Sequence, residues 1–219
     1  MNGSMTPNMP DLACTFIALG AGLASGIAQI GATRPPLKIP RATLLMLALL
    51  GAAFCAQLAV PGLLPLFARE SSLLHRGELW RAVTALFVQD GWVTGAVFNL
   101  TILLALGVVA DQLLGMRRWL GIYLGAGVAT EILALAWQPH GAGNSIAVFG
   151  LAGALTVIGV GRKMTAIQVL LCLAGIGAGL GLLVEHDIHG IGFWAGAAIF
   201  LVGAVAMRGP TRERAVRAT

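Results

Sequence analysis

The chain has 219 residues, of which 58% are hydrophobic and only 11% are charged. Soluble domains carry about 25% charged residues, so this composition, with a mean hydropathy of +0.86, excludes a soluble protein and predicts a protein of the lipid bilayer. The net charge of +5 comes from short basic clusters between apolar segments, a pattern that orients membrane helices and does not indicate nucleic-acid binding.

Seven apolar segments have about the length that crosses a bilayer as a helix, roughly 20 residues, although the fifth is short. We predict helices because an open strand in lipid would leave its backbone N–H and C=O groups unpaired. The segments are 12–32, 43–62, 94–113, 119–137, 145–161, 165–184 and 189–207. No positive charge precedes the first segment, so we expect a retained helix there and not a cleaved signal peptide. The chain is therefore predicted to be an all-α polytopic membrane protein.

The basic residues predict how these helices are oriented. Eleven of the fourteen Lys and Arg residues follow the first, third, fifth or seventh segment, which alternating topology places on one side. Because positive loops stay in the cytoplasm, we expect a multi-pass protein of the plasma (inner) membrane, with its N-terminus outside and its C-terminus cytoplasmic. Arg69, Arg76 and Arg81 belong to the outer segment 63–93 and depart from this bias.

The outer segment 63–93 carries Trp80, Leu86, Phe87 and Trp92 among its charges. Aromatic and apolar side chains beside charged ones are typical of structure that lies in the membrane interface. We predict a folded segment there, a natural gate or brace for an embedded site, with an ordinary interfacial loop as the alternative.

Three polar side chains inside the apolar segments are predicted to lie at one depth. Asn99, Ser145 and His189 precede the basic clusters that end their segments by 18, 17 and 19 residues. At about 1.5 Å per residue they lie within roughly 3 Å of one another in depth, near the outer edge of the hydrocarbon. A hydroxyl that attacks, an imidazole that moves its proton and an amide that binds the oxyanion are the groups that acyl transfer requires.

Stripes of small residues allow helices to approach closely. One stripe consists of His189, Gly192, Gly196 and Gly203, and the other of Ser145, Ala152, Thr156 and Gly159. We predict that these two faces pack together and bring the serine to the histidine.

Other acidic and histidine residues have plainer explanations. Glu131 is either a functional intramembrane acid or a structural hydrogen-bond partner of an outer loop or of water. Glu185 and Asp187 lie in the loop before His189, and neither is predicted to be a third catalytic member. His186 is interpreted as a loop residue, because only His189 has glycines three and seven positions later.

Metal or cofactor binding is not expected. His75 and His140 have no metal-ligand spacing, and the chain has no His-Glu-x-x-His motif. Its three cysteines lie in apolar segments without Cys-x-x-Cys spacing. Asp111 is expected to pair with Arg117 or Arg118 or to cap a loop.

Four motifs, in this order, resemble the rhomboid family of intramembrane serine proteases. They are Gly77-Glu78-Leu79-Trp80-Arg81-Ala82-Val83-Thr84-Ala85-Leu86-Phe87; Asn99, Gly107, Asp111 and Gly115; Gly143-x-Ser145 with Phe149-Gly150-Leu151-x-Gly153-Ala154; and His189-x-x-Gly192-x-x-x-Gly196. The resemblance implies a rhomboid-like six-helix core over 38–207. An extra N-terminal transmembrane helix and basic loop (1–37) would precede that core, and a basic cytoplasmic tail (208–219) would follow it.

The resemblance also implies an activity and its partners. Ser145 would be the nucleophile and His189 its general base, while Asn99 and backbone N–H groups near Ser145 would hold the oxyanion. The substrates would be single-pass transmembrane proteins in the lipid bilayer, cleaved near the outer membrane face.

Three positions depart from the family's pattern. Gly95 stands where many members have a histidine of the oxyanion site, Gln89 aligns with another loop histidine, and Ile146 replaces a glycine after the nucleophile. Loss of one oxyanion donor costs about 10² in rate unless another donor, such as Thr94, Gln89 or His140, compensates. The alternative function is therefore a catalytically inactive rhomboid-like protein that binds transmembrane clients. A transporter ranks third, since the chain shows neither inverted repeats nor paired broken helices.

Overall fold

The computed structural model describes residues 9–160 and 162–216. In chain order its helices and strands are α1 (Met9–Thr33), α2 (Arg41–Ala59), α3 (Leu63–Phe67), β1 (Arg69–Glu70), α4 (Ser71–His75), α5 (Arg81–Thr84), α6 (Trp92–Leu114), α7 (Met116–Leu133), β2 (His140–Gly141), α8 (Ser145–Thr156), α9 (Ala166–Val184) and α10 (Ile188–Val216). Within this part of the chain, six helices are long and apolar enough to cross a membrane, and α8 is a shorter apolar helix. The predicted all-α polytopic membrane fold is confirmed.

The seven predicted segments each correspond to a helix, and the two largest differences lie at the ends of the fifth and seventh. The fifth was predicted to reach residue 161, whereas α8 ends at Thr156 and residues 157–160, which include Gly159, form turns. The last helix, α10, continues past 207 to Val216. The segment before Met9 and the side chains of the predicted basic tail 208–219 lie outside the described residues.

Helix α8 forms the centre of the bundle. It contacts α1, α6, α7, α9 and α10, and every residue from Ile146 to Thr156 is buried. A helix that is apolar on all sides is stable only when other helices surround it. The N-terminus of this central helix is the position of Ser145.

Glycines bring α10 against α8 at backbone distance. A Cβ on Gly192 would lie 2.3 Å from the carbonyl oxygen of Ile146, and one on Gly196 would lie 1.9 Å from that of Gly150. No side chain fits at either position. The predicted stripe on α10 is therefore a helix–helix contact at these two glycines.

Beyond Ser145, the predicted partner stripe on α8 is wrong. Ala152 approaches Gly22 of α1, Thr156 approaches Gly175 of α9, and Gly203 of α10 has no described neighbour within 4 Å of a Cβ placed there. The backbone of α8 instead meets α10 at Ile146, Gly150 and Gly153, so the contacting face is shifted by one residue from the predicted positions.

The segment 63–93 is folded, as predicted. Arg81 is buried; its Nη1 donates to the carbonyl oxygens of Pro65 (2.9 Å) and Ala68 (2.8 Å), and its Nε donates to Glu78 (2.6 Å). The short strands β1 and β2 pair antiparallel and join this segment to the loop before α8. Arg81 therefore has a structural role, which explains one of the exceptions to the charge bias.

Candidate active site

Ser145 and His189 meet at one end of the bundle, which we call the serine end. Ser145 is the first residue of α8, and His189 is the second residue of α10. The imidazole Nε2 lies 2.9 Å from the serine Oγ, a hydrogen-bond distance. The ring of Phe149, one turn along α8, packs on the imidazole with its centroid 4.7 Å away. The structure thus brings together the two side chains that the sequence placed at one depth.

Asp187 holds the other side of the imidazole. Its Oδ1 lies 2.6 Å from His189 Nδ1 and also accepts the backbone N–H of His189 at 2.8 Å. A carboxylate beside Nδ1 places the ring proton there and leaves Nε2 as the acceptor for the serine hydroxyl. Ser145, His189 and Asp187 therefore form a hydrogen-bonded chain of three side chains.

The charge state of Asp187 follows from this arrangement. Burial would raise the pKa of its carboxyl, but the hydrogen bonds and positive charge that His189 offers outweigh burial and lower the pKa to about 2. The carboxyl is then ionised at neutral pH, which is the state that accepts both N–H groups of His189.

The sequence-based prediction that Asp187 is not a third member of the site therefore differs from the observed geometry. Asp187 immediately precedes α10, and its carboxylate accepts the N–H of the second helical residue, as an N-cap aspartate does. Since that second residue is His189, the cap brings the carboxylate to the imidazole. An Asp-x-His sequence at a helix start was the signal that we overlooked.

Asn99 lies in the same small cavity as Ser145 but is engaged with Gln89. The cavity is also lined by Leu19, Phe98, Ile102 and Val148. Asn99 Nδ2 donates to Gln89 Oε1 at 2.9 Å, and Gln89 Nε2 donates to Asn144 Oδ1 at 2.9 Å. An amide nitrogen has two hydrogens, so this contact commits one of them and fixes the direction of the other. Gln89 thus orients Asn99.

Gln89 is also the one of three suggested replacement residues that the structure places at the site. Thr94 is exposed, and the His140 side chain is 68% exposed and lies 2.5 Å from Glu70. Gln89 is only 2% exposed, and its backbone N–H and C=O are both bonded to the side chain of Gln57. These two hydrogen bonds to Gln57 anchor the loop that carries Gln89 beside the site.

Gly143 keeps the space next to Ser145 open. Its φ of +137° lies in the region that residues with a side chain rarely adopt. A Cβ there would lie 3.6 Å from Asn99 Nδ2 and 4.0 Å from Ser145 Oγ. The glycine of the Gly-x-Ser motif therefore leaves room for a substrate atom between the amide and the hydroxyl.

Ile146 does not crowd the site. Its side chain is buried with Leu86, Ala134 and Ile188 in a small apolar cluster. Its backbone, by contrast, is what Gly192 of α10 approaches. The isoleucine after the nucleophile therefore leaves the approach of His189 to Ser145 intact.

Two intramembrane acids that the sequence left open have structural partners. Glu131 accepts a 2.6 Å hydrogen bond from Arg69, and both side chains are 1% exposed. Asp111 accepts the backbone N–H groups of Ala42 (2.8 Å) and Thr43 (3.1 Å) at the start of α2. For Glu131 the structural alternative fits, with Arg69 of the outer segment as the partner.

Comparison with known proteins gives the following matches. The family model described as Rhomboid domain matches residues 76–209, more than half of the chain. Rhomboid protease GluP of Bacillus subtilis (strain 168) is 31% identical over 146 residues, which are 61% of this chain and 29% of that protein. RHOMBOID-like protein 5 of Arabidopsis thaliana is 27% identical over 164 residues, which are 69% of this chain and 52% of that protein. The matches therefore cover between 29% and 52% of the length of these relatives.

Proposed function

The chain belongs to the rhomboid family, and on that premise we propose that it is an intramembrane serine endopeptidase with Ser145 as nucleophile and His189 as general base. The observation that carries the proposal is the 2.9 Å contact between His189 Nε2 and Ser145 Oγ at the N-terminus of a buried helix. A serine hydroxyl is a weak nucleophile until a neighbouring base takes its proton.

The reaction follows from the direction of the hydrogen bonds. His189 donates a hydrogen bond from Nδ1–H to Asp187, so Nε2 is free to accept the proton of Ser145 as Oγ attacks the carbonyl carbon of the peptide. The imidazolium then returns this proton to the leaving amine, and the C–N bond breaks to leave an acyl-serine. A water molecule, deprotonated by the same Nε2, releases the acid and restores the serine. Asp187 remains ionised throughout the reaction and positions the imidazole.

The oxyanion is assigned to two sources of positive potential. Asn99 lines the cavity that contains Ser145, and its Nδ2 carries a second hydrogen besides the one donated to Gln89. The first N–H groups of α8 have no acceptor within the helix, and the helix dipole is positive there. Such donors stabilise the charge that develops on the carbonyl oxygen.

The substrate class and the location are also proposals. The hydrolysed bond belongs to a single-pass transmembrane protein and lies near the outer face of the plasma (inner) membrane. The position of Ser145 at the serine end, opposite the basic clusters after α1 and α6, supports this assignment. The amino terminus is then outside and the carboxyl terminus is cytoplasmic.

A catalytically inactive rhomboid-like protein that binds transmembrane clients is the second candidate. The observation that favours it is Gly95, which offers no side chain to the oxyanion site and has no described neighbour within 4 Å of a Cβ placed there. An inert protein of this kind would retain the bundle and its contacts but would not turn over.

A fluorescent fluorophosphonate distinguishes the two candidates. We expect purified wild type in detergent to be labelled, and Ser145→Ala and His189→Ala to be unlabelled and unable to cleave single-pass transmembrane peptides in liposomes. Asn99→Ala should cleave about 10²-fold more slowly, because one oxyanion donor is lost. A wild type that binds these peptides without labelling or turnover would decide for the inactive protein, and cleavage by both alanine variants would exclude Ser145 and His189.

A further inference from the structure

The extra N-terminal helix α1 contacts the active site at two positions, Leu19 and Asp11. It packs against α6, α8 and α9, and its Gly22 is so close to α8 that a Cβ there would lie 2.7 Å from the carbonyl oxygen of Ala152. Leu19 of α1 lines the cavity of Ser145 and Asn99. One side of the serine pocket is therefore formed by a helix outside the six-helix core.

Nearer the N-terminus of α1, the side chain of Asp11 is hydrogen-bonded to that of Asp187. Two carboxyl groups can share a hydrogen bond only when one of them carries a proton. Asp187 already accepts two N–H groups of His189 through Oδ1, which favours its ionised form, and the pKa of its carboxyl is lowered to about 2. Asp11 is then the protonated acid and the donor.

We propose that Asp11 is a positioning residue of the active site, which donates a hydrogen bond to Asp187 and so holds the carboxylate against His189. The chain of contacts runs from Asp11 through Asp187 and His189 to Ser145. The extra helix thereby becomes part of the active centre. This inference rests on the proposed protease function.

Substitution of Asp11 tests the proposal, because two variants differ only in whether a donor remains. Asp11→Asn retains an N–H donor of nearly the same shape and should keep the wild-type rate within about threefold. Asp11→Leu removes the donor and should lower kcat and the rate of fluorophosphonate labelling roughly tenfold, with KM unchanged, since one hydrogen bond to a charged group is lost.

A double-mutant cycle with Asp187→Asn is the control for a merely structural role. If Asp11 acts through Asp187, the Asp11→Leu change should have little further effect once Asp187 is neutral. Equal effects in both backgrounds, or equal rates for Asp11→Asn and Asp11→Leu, would overturn the proposal. Neither outcome bears on the protease assignment, which fails only if Ser145→Ala retains cleavage.

A second inference comes from the other end of the bundle. The 12 residues of α8 span about 18 Å, whereas the hydrocarbon of a bilayer is about 30 Å thick. Below the end of α8 the surrounding helices line a partly open cavity of about 800 Å³. The short central helix thus leaves a space that the bundle itself does not fill.

The lining of this cavity combines apolar walls with positive charge. Ile122, Ile158, Ile199 and Phe200 form part of the wall, and three cationic residues, Lys38, Arg118 and Arg162, lie among the lining residues. Gln112 exchanges two hydrogen bonds with the backbone of Lys38 and so fixes that loop at the cavity. The described lining includes no Asp or Glu.

We infer that the cavity binds an anionic phospholipid, with its phosphate near the three cations and an acyl chain along the apolar wall. Basic pockets between transmembrane helices have the chemistry for such headgroups. A soluble phosphate would match the cations but would leave the apolar wall without a partner.

The test compares ligands and two neighbouring arginines. Phosphatidylglycerol added to the detergent-solubilised protein should raise the midpoint of thermal unfolding and appear as adducts in native mass spectrometry, whereas phosphatidylcholine and glycerol 3-phosphate should not. Arg118→Gln should weaken phosphatidylglycerol binding about fivefold, while Arg117→Gln, an equal loss of charge outside the lining, should leave it unchanged. Equal effects of the two variants, or equal stabilisation by glycerol 3-phosphate, would refute a lipid site in this cavity.

Discussion

Replacement of Asp187 measures what the third side chain contributes to catalysis. Asp187→Asn keeps an oxygen that can accept both N–H groups of His189 but loses the negative charge. A hydrogen bond to a charged group exceeds a neutral one by about 1 to 2 kcal/mol, so we expect kcat to fall roughly tenfold. Asp187→Ala removes the acceptor entirely and should lower kcat about 10²-fold. KM should change little, because Asp187 contacts His189 and not the peptide.

The assay is cleavage of a single-pass transmembrane peptide in liposomes, with the labelling rate of Ser145 by a fluorophosphonate as a second readout. Glu185→Gln, which removes an acid from the same loop, is the matched control and should retain the wild-type kcat within about twofold. If both Asp187 variants cleave at rates within about threefold of wild type while Ser145→Ala is inactive, Asp187 does not contribute to catalysis. His189 would then be oriented by packing on Phe149 alone.

Three further predictions concern stability in detergent, measured by thermal or denaturant unfolding. Gly192→Ala should prevent folding or lower stability by several kcal/mol, because its Cβ would lie 2.3 Å from a backbone oxygen, whereas Gly203→Ala, with no described neighbour within 4 Å, should be neutral. Arg69→Met should cost about 3 to 5 kcal/mol by leaving Glu131 buried and unpaired, and the double replacement with Glu131→Met should recover most of that loss. The pKa of Asp187 is lowered to about 2 from an ordinary value near 4, so the free energy of unfolding of wild type should exceed that of Asp187→Asn by roughly 2 kcal/mol at pH 7. This difference should shrink as the pH falls below 4 and be lost near pH 2.

The helices and the depth of the site could be predicted because both follow from one-dimensional rules. Hydropathy over about 20 residues marks a membrane helix whatever its neighbours are. The fixed rise per residue then converts a count from the basic clusters into depth, and this count places Ser145 and His189 level with each other. The observed 2.9 Å contact agrees with that count.

Contacts that depend on rotation about a helix axis or on the path of a loop could not be predicted this way. The α8 face that meets α10 begins at Ile146, one residue from the predicted stripe, and a shift of one residue turns a helix by about 100°. Asp187 lies in a loop, so its distance from His189 depends on how α10 is capped. The contact of Asp11 with Asp187 joins residues far apart in the chain, and no local pattern encodes it.

The cost of burying polar groups bears on the choice between a protease and an inert client-binding protein. Gln57, Gln89 and Asn144 are each at most 6% exposed, and each is hydrogen-bonded within the network that leads to Asn99. Polar groups in an apolar surrounding destabilise a bundle unless they are paired, and a binding surface for apolar helices needs none of them. A network that directs one amide toward the serine cavity is, however, what oxyanion binding requires. The network therefore favours the proposed protease, with Asn99 as the side-chain donor, and on that proposal we expect Gly95 to lower the rate without changing the kind of reaction.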